Sequence, residues 1–246
     1  MYSFESRVRY SEVDVNQELT ITGIINYFQD CSTFQSEDLN LGIDYLKGRC
    51  RAWWLSSWQI VIERYPRLGE EIVISTWPYD FKGIYGYRNF TIQDKQGNYL
   101  VKANSIWFFF DTEAGRPARI SPEDVRGYGT GDEKKLDMEY AARKIPVPEA
   151  YQTAKEIHVM RHHIDTNHHV NNAQYVDMAR EALPEDIRIR QLRVEYKNAA
   201  VLGDVMTPQV SRDENDWTVV LCGAEGQTCA VVWLQAGEQK EKEKIR

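Results

Sequence analysis

Residues 12–39, "EVDVNQELTITGIINYFQDCSTFQSEDL", hold a short polar loop followed by Ile21, Ile24, Ile25, Phe28, Cys31 and Phe34 at helical spacing. This helix is predicted inside a chain whose other apolar residues mostly alternate. Alternation marks strands at 53–62 (WWLSSWQIVI), 71–79, 85–94 and 99–110. The pattern then recurs. "HIDTNHHV" (163–170) aligns with "EVDVNQEL" (12–19), matching Asp14 to Asp165 and Asn16 to Asn167. A second helix is predicted in "NNAQYVDMAREAL" (171–183), carrying Ala173, Val176, Ala179 and Leu183, capped by asparagine and stopped by Pro184. Strands at 187–197, 204–210, 217–222 and 228–235 follow, and "RYPRLGE" (64–70) is echoed in "EYKNAAVLGD" (195–204).

Two units of one design therefore lie in tandem: residues 1–120, a linker over 121–150 rich in Gly, Pro and charge, residues 151–236, and a solvated charged tail over 237–246. A helix is expected within 133–144 of the linker. Each sheet has one apolar face and each helix one apolar stripe, so each unit buries the stripe against the face. The expectation is an α+β fold of two tandem hotdog units, each a long helix wrapped by a curled antiparallel sheet.

A formal charge of −7 in 246 residues argues against nonspecific nucleic-acid binding, which needs a broad basic surface. No run approaches the roughly 20 apolar residues of a membrane span, and the first ten residues lack the character of a signal peptide. The four cysteines (Cys31, Cys50, Cys222, Cys229) have no metal-binding spacing and read as buried free thiols of a reducing cytoplasm.

All five histidines fall between His158 and His169, four of them in "HHIDTNHHVNNAQY" (162–175). Zinc wants three or four ligands in tetrahedral geometry, usually brought together from separate elements. These come from one segment, so no metal is expected. The remaining readings are an acid–base site or a polar turn before a helix. His158, His162, His163 and His168 read as solvated or structural.

The motif Asp165, Asn167, His169, Val170, Asn171, Asn172 and Tyr175 resembles the signature of the acyl-acyl carrier protein thioesterases. "RVRYSEVDVNQELTITGIINYFQD" (7–30) and "VEYKNAAVLGD" (194–204) extend the resemblance over most of residues 1–236. It implies release of fatty acids from an acyl carrier protein bearing a phosphopantetheine-linked chain, with no cofactor; a homodimer is left open. One departure matters. Where plant members carry a Glu-Cys pair, this chain has Ala199 and Ala200, so a cysteine nucleophile and glutamate base are excluded there.

Thioester hydrolysis by water then falls to Asp165, Asn167 and His169. Asp165 and His169 position and deprotonate the water, with the choice between them open, and the Asn167 amide holds the carbonyl. The helix start at Asn171–Asn172 offers backbone N–H groups and a positive dipole end, and Glu195 is a reserve acid. The first repeat places Glu18 where the second has His169, which predicts a non-catalytic, acyl-binding first half and one active site per chain. Ile24, Ile25, Phe28, Trp53 and Trp54 are the candidates for an acyl tunnel. Basic residues at Arg188, Arg190, Arg193 and Lys197, or at Lys47, Arg49 and Arg51, could meet the carrier. The rival functions are a hotdog hydratase or dehydratase on acyl thioesters and a non-catalytic acyl-thioester binding protein.

Overall fold

In a computed structural model describing residues 1–129, 134–185 and 187–237, the stripe in the opening stretch forms an 18-residue helix, α1 (Ile21–Asp38). The Thr20 hydroxyl accepts the Gly23 N–H at 3.0 Å and so caps the first turn. Ile24, Ile25, Phe28 and Cys31 are fully buried on one face. Burial of side chains this size stabilises by roughly 1.5–3 kcal/mol each. Two short helices follow, α2 (Ile43–Gly48) and α3 (Pro122–Val125), before α4 (Asn172–Glu181), which buries Ala173, Tyr175, Val176, Met178 and Ala179.

Among the described residues, twelve strands make one sheet: β1 (Tyr2–Arg7), β2 (Arg51–Ile62), β3 (Glu71–Lys82), β4 (Tyr85–Asp94), β5 (Tyr99–Asp111), β6 (Arg116–Pro117), β7 (Gln152–Thr153), β8 (Ile157–His158), β9 (Ile189–Tyr196), β10 (Val205–Asp213), β11 (Asp216–Cys222) and β12 (Thr228–Ala236). The order is β1-β3-β4-β5-β2-β9-β12-β11-β10-β7, with β6 beside β5 and β8 beside β10. The repeats fuse where β2 pairs antiparallel with β9, from Ser57 opposite Glu195 to Val61 opposite Gln191. Every long strand read from alternation is present within a few residues, and the architecture is the tandem hotdog expected.

The duplication extends to backbone detail. Asp14 N–H donates to Glu18 C=O at 2.9 Å, and Asp165 N–H to His169 C=O at 2.8 Å. Gln17 and His168 share a left-handed conformation, with φ of 61° and 62°. Isolated bridges close both loops, Val13 to Leu19 and Ile164 to Val170.

Alternation sends Trp58, Ile60, Phe90 and Ile92 toward the helices, where Phe28, Trp58 and Phe90 pack with ring centroids 5.0–5.8 Å apart. Gln59, Asn89 and Glu195 point from the other face. There the linker departs from expectation. Residues 134–144 contain no helix; they cross the outer face as an extended strap, and residue 133 lies outside the described part. The strap's backbone finds its partners in sheet side chains, which removes the need for a helix. Leu136 N–H and Tyr140 Oη both donate to Asn89 Oδ1 at 3.0 Å. Gln59 donates to Glu139 C=O at 2.9 Å and accepts from Ala141 N–H at 2.8 Å. Arg193 donates to the Ala142 and Lys144 carbonyls. Ile145 ends the strap in a second apolar cluster with Val220, Cys222 and Val231.

All four cysteines are free; three are buried and Cys50 is half-buried. Burial pushes the Cys31 thiol up to about 12. No helix among the described residues is long and apolar enough to cross a membrane. The tail expected over 237–246 lies outside the described residues except Gly237.

Asn89 is fully buried and also donates to Ala103 C=O at 3.2 Å. Asn89→Ala would leave strap groups unpaired and is expected to cost about 1–3 kcal/mol. At roughly 2–4 °C per kcal/mol for a chain of this length, calorimetry should show a clear fall in Tm. An unchanged Tm would mean that the strap does not belong to the cooperative fold.

Candidate active site

The loop from Asp165 to Asn171 is shaped by one carboxylate. Asp165 Oδ1 accepts the Asn167 N–H at 2.7 Å and the His169 N–H at 3.4 Å, which holds the turn through left-handed His168. Among the described residues its Oδ2 has no hydrogen-bond donor. Asp165 and His169 are thus linked through backbone, and no side-chain hydrogen bond joins them. Asn171 ends the loop as the cap of α4, its Oδ1 accepting the Ala173 N–H at 2.9 Å.

Gln29 of α1 reaches this cap from the other repeat. Its Nε2 donates to Asn171 Oδ1 at 3.3 Å, and its Oε1 accepts from Asn172 Nδ2 at 3.2 Å. Beside this junction opens a cavity of about 500 Å³. Its walls are the polar side of α1 (Asn26, Gln29, Ser32, Thr33, Ser36), the α2 region (Leu41, Ile43, Leu46) and sheet residues Trp53, Phe81, Gly86, Arg88 and Trp107, with Tyr128 at one end. Asp165, Thr166, Asn167 and Asn171 are the second repeat's contribution. Glycine at 86 keeps the floor open, because a Cβ there would stand 3.2 Å from both Phe81 and Trp53.

The proposed site residues separate accordingly. Asp165, Asn167 and Asn171 face the cavity. Asn172 serves the α1–α4 junction, and its carbonyl accepts the Tyr196 hydroxyl at 2.9 Å. His169 stands just outside, edge-on to Trp54 with centroids 6.3 Å apart. Trp53 and Trp54 leave β2 on opposite faces, so Trp53 lines the cavity while Trp54 stacks on Phe110 at 3.8 Å.

Ile24, Ile25 and Phe28, the other tunnel candidates, do not line this cavity. They are fully buried in the core, because an amphipathic helix gives its apolar stripe to the sheet and leaves its polar side for the cavity. Glu195, the candidate reserve acid, does not face this loop. It projects from the outer face of β9, where its Oε2 accepts the Ile145 N–H at 3.2 Å and lies 3.7 Å from Lys197 Nζ.

The other histidines do not converge on the site. His158 and His168 are exposed, and His162 packs on His163 with centroids 4.0 Å apart. Burial and the neighbouring His162 push His163 below its ordinary value. Among the described residues, no three His, Cys, Asp or Glu side chains form a metal-binding group. In the first repeat Glu18 is held by Arg188 at 2.7 and 3.1 Å, and none of Asp14, Asn16 and Glu18 lines the cavity. That leaves little of the Arg188 group for a partner, since Arg193 serves the strap. Lys47 lines the cavity without an ion-pair partner among the described residues, whereas Arg51 is 2.8 Å from Asp111.

Sequence reasoning missed Gln29, Asn26, Ser36, Tyr128 and Arg88. The polar residues of α1 looked like an ordinary solvated face. Arg88 carried a usable signal: it shares an inward register with Phe90 and Ile92, where a charge needs an explanation.

A family model described as the acyl-ACP thioesterase N-terminal domain matches residues 1–128, and one described as the C-terminal domain matches residues 148–234. An acyl-acyl-carrier-protein hydrolase described as chloroplastic, from Cuphea viscosissima, is 25% identical over 225 residues, covering 85% of this chain and 54% of the relative. The chain thus spans about half the length of the curated relatives it matches. A solved structure described as a putative oleoyl thioesterase from Lactobacillus plantarum is 26% identical, with a TM-score of 0.83 and coverage of 97% of each chain. One described as an acyl-ACP thioesterase from Bacteroides thetaiotaomicron shares the fold with a TM-score of 0.87 at 22% identity, covering 96% of this chain and 97% of its own.

Asn171 uses only its acceptor oxygen for these contacts, so aspartate can replace it and alanine cannot. Urea denaturation should show Asn171→Ala less stable by about 0.5–2 kcal/mol, with Asn171→Asp near wild type. Equal losses in both variants would contradict the capping role.

Proposed function

The chain belongs to the acyl-ACP thioesterase family, and on that premise we propose that it hydrolyses fatty acyl-acyl carrier protein to free fatty acid and carrier thiol, with water as nucleophile. The observation that carries this reading is the cavity, which has apolar and aromatic walls along β2–β5 and opens onto the polar Asp165–Asn171 loop. An acyl chain fits the first, and a thioester carbonyl needs the second.

In this mechanism the acyl chain lies over Trp53 and Trp107, and the Asn167 amide donates to the carbonyl oxygen. The α4 N-terminus adds its positive end to the developing oxyanion. Water attacks the carbonyl carbon. Its proton passes to Asp165 or His169; Asp165 lines the cavity, and its Oδ2 has no hydrogen-bond partner among the described residues. The carbon–sulfur bond then breaks, and the departing thiolate takes the proton back. We place the pantetheine arm on the side of His169, which stands beside Trp54 and does not line the cavity. Lys47 is the cation available to the arm's phosphate. Both repeats supply walls within one chain, so the site needs no second copy. Free thiols suit a reducing compartment, and we place the reaction in the cytoplasm.

A general base typically contributes about 10²–10⁴-fold. Thiol release from a panel of acyl carrier thioesters should therefore fall at least about a hundredfold in Asp165→Asn and in His169→Ala with folding intact. Glu195→Gln should retain activity, because that side chain faces the strap. Release that survives both loop variants would move the chemistry elsewhere, and no release from any carrier would sink the hydrolase reading.

A further inference from the structure

The end of the cavity away from the loop is closed by a charge. Arg88 is 8% exposed, and its guanidinium carbon lies 5.4 Å from the centre of the Tyr128 ring. Its Nη1 donates to Gln35 Oε1 and, at 3.2 Å, to Thr76 Oγ1. Tyr128 is fixed in turn by Ser36 at 2.8 Å. All of these partners are neutral. Among the described residues no Asp or Glu forms an ion pair with Arg88, and the two carboxylates on the α1 wall, Asp30 and Glu37, do not reach it.

Among the described residues, the Nε and Nη2 groups of Arg88 have no hydrogen-bond acceptor. Yet the only fully enclosed, unpartnered side-chain nitrogen or oxygen among the described residues is Trp58 Nε1. Arg88 is also one of the residues that line the cavity, which gives these donors a space to face. Burial lowers the guanidinium to about 10, which leaves it charged at neutral pH. A methyl end pressed against it removes its remaining solvent and offers no acceptor. A carboxylate instead takes two N–H groups in a fork. Gln29, at the loop, and Ser36, at Tyr128, stand roughly two turns apart on α1, about 10 Å along its axis.

We propose that Arg88 determines specificity, so that the pocket selects medium-length acyl thioesters whose distal end carries an acceptor oxygen, a carboxylate most strongly, over hydrocarbon chains of equal length. This rests on the thioesterase reading of the same site, and the test keeps the two apart. Alkanoyl, ω-hydroxyalkanoyl and ω-carboxyalkanoyl thioesters of matched length on one carrier are compared for kcat/KM with wild type, Arg88→Met and Arg88→Lys. Amide analogues, with nitrogen in place of the thioester sulfur, are titrated calorimetrically against the same proteins.

Wild type should prefer the ω-carboxy chain by roughly tenfold to a hundredfold, with ω-hydroxy between. Arg88→Met should lose the preference, and Arg88→Lys should keep part of it. Equal kcat/KM and equal binding for the alkyl and ω-carboxy chains in wild type would overturn the proposal, and so would a preference that survives in a folded Arg88→Met. Should Arg88→Met fail to fold, the wild-type comparison decides. An ω-carboxy preference in amide binding without any thiol release would support the pocket assignment and remove the hydrolase reading instead.

Discussion

The ladder between β2 and β9 is the contact on which the rest of the molecule depends. An isolated hotdog sheet would expose strand edges at β2 and at β9, and pairing them removes both. It also fixes the geometry of everything attached. With one continuous sheet, α1 and α4 lie on the same face and touch, at Thr22 with Asp177 and at Gln29 with Asn171 and Asn172. The polar loop before α4 is thereby delivered to a cavity built largely by the other repeat. Position along the sheet, more than any local motif, makes the site.

Within that frame the two repeats have kept one backbone and diverged in a few side chains. Both loops run through an aspartate that accepts its own chain's amides and a left-handed residue three positions on. At the following position one loop has Glu18, bound to Arg188, and the other has His169 against Trp54. The salt bridge makes the first loop a brace between repeats. Half-exposed and partly screened, such a pair adds little to stability; its effect is to occupy the carboxylate.

Where periodicity governs, the fold was legible. The alternation of "YGYRNFTIQD" gives β4 its limits, and the stripe of α1 gives the helix its core face, because both follow from which side of an element is apolar. The strap was not legible, since its order comes from Asn89, Gln59 and Arg193, far away in sequence. The Asp165–Asn171 loop could be located from residue types and family resemblance. Its relation to the cavity could not, because the wall opposite is the polar side of a helix that reads as solvated. That Ile24, Ile25 and Phe28 lie in the core and not along this cavity was not legible either, because an apolar stripe reads alike whether it faces a sheet or a ligand. The direction of Glu195 was legible: strand alternation, applied from Val194, turns it to the outer face.

The strap also bears on how such a chain can be recombined. Its backbone is held by Asn89 and Gln59 of the first repeat and by Arg193 and Glu195 of the second, so it is a shared third component with no allegiance to either half. A chimera that joins a first repeat from one relative to a second from another must therefore choose a strap that matches both parents. The crossover point free of that conflict is not the apparent linker, because there the halves are most entangled.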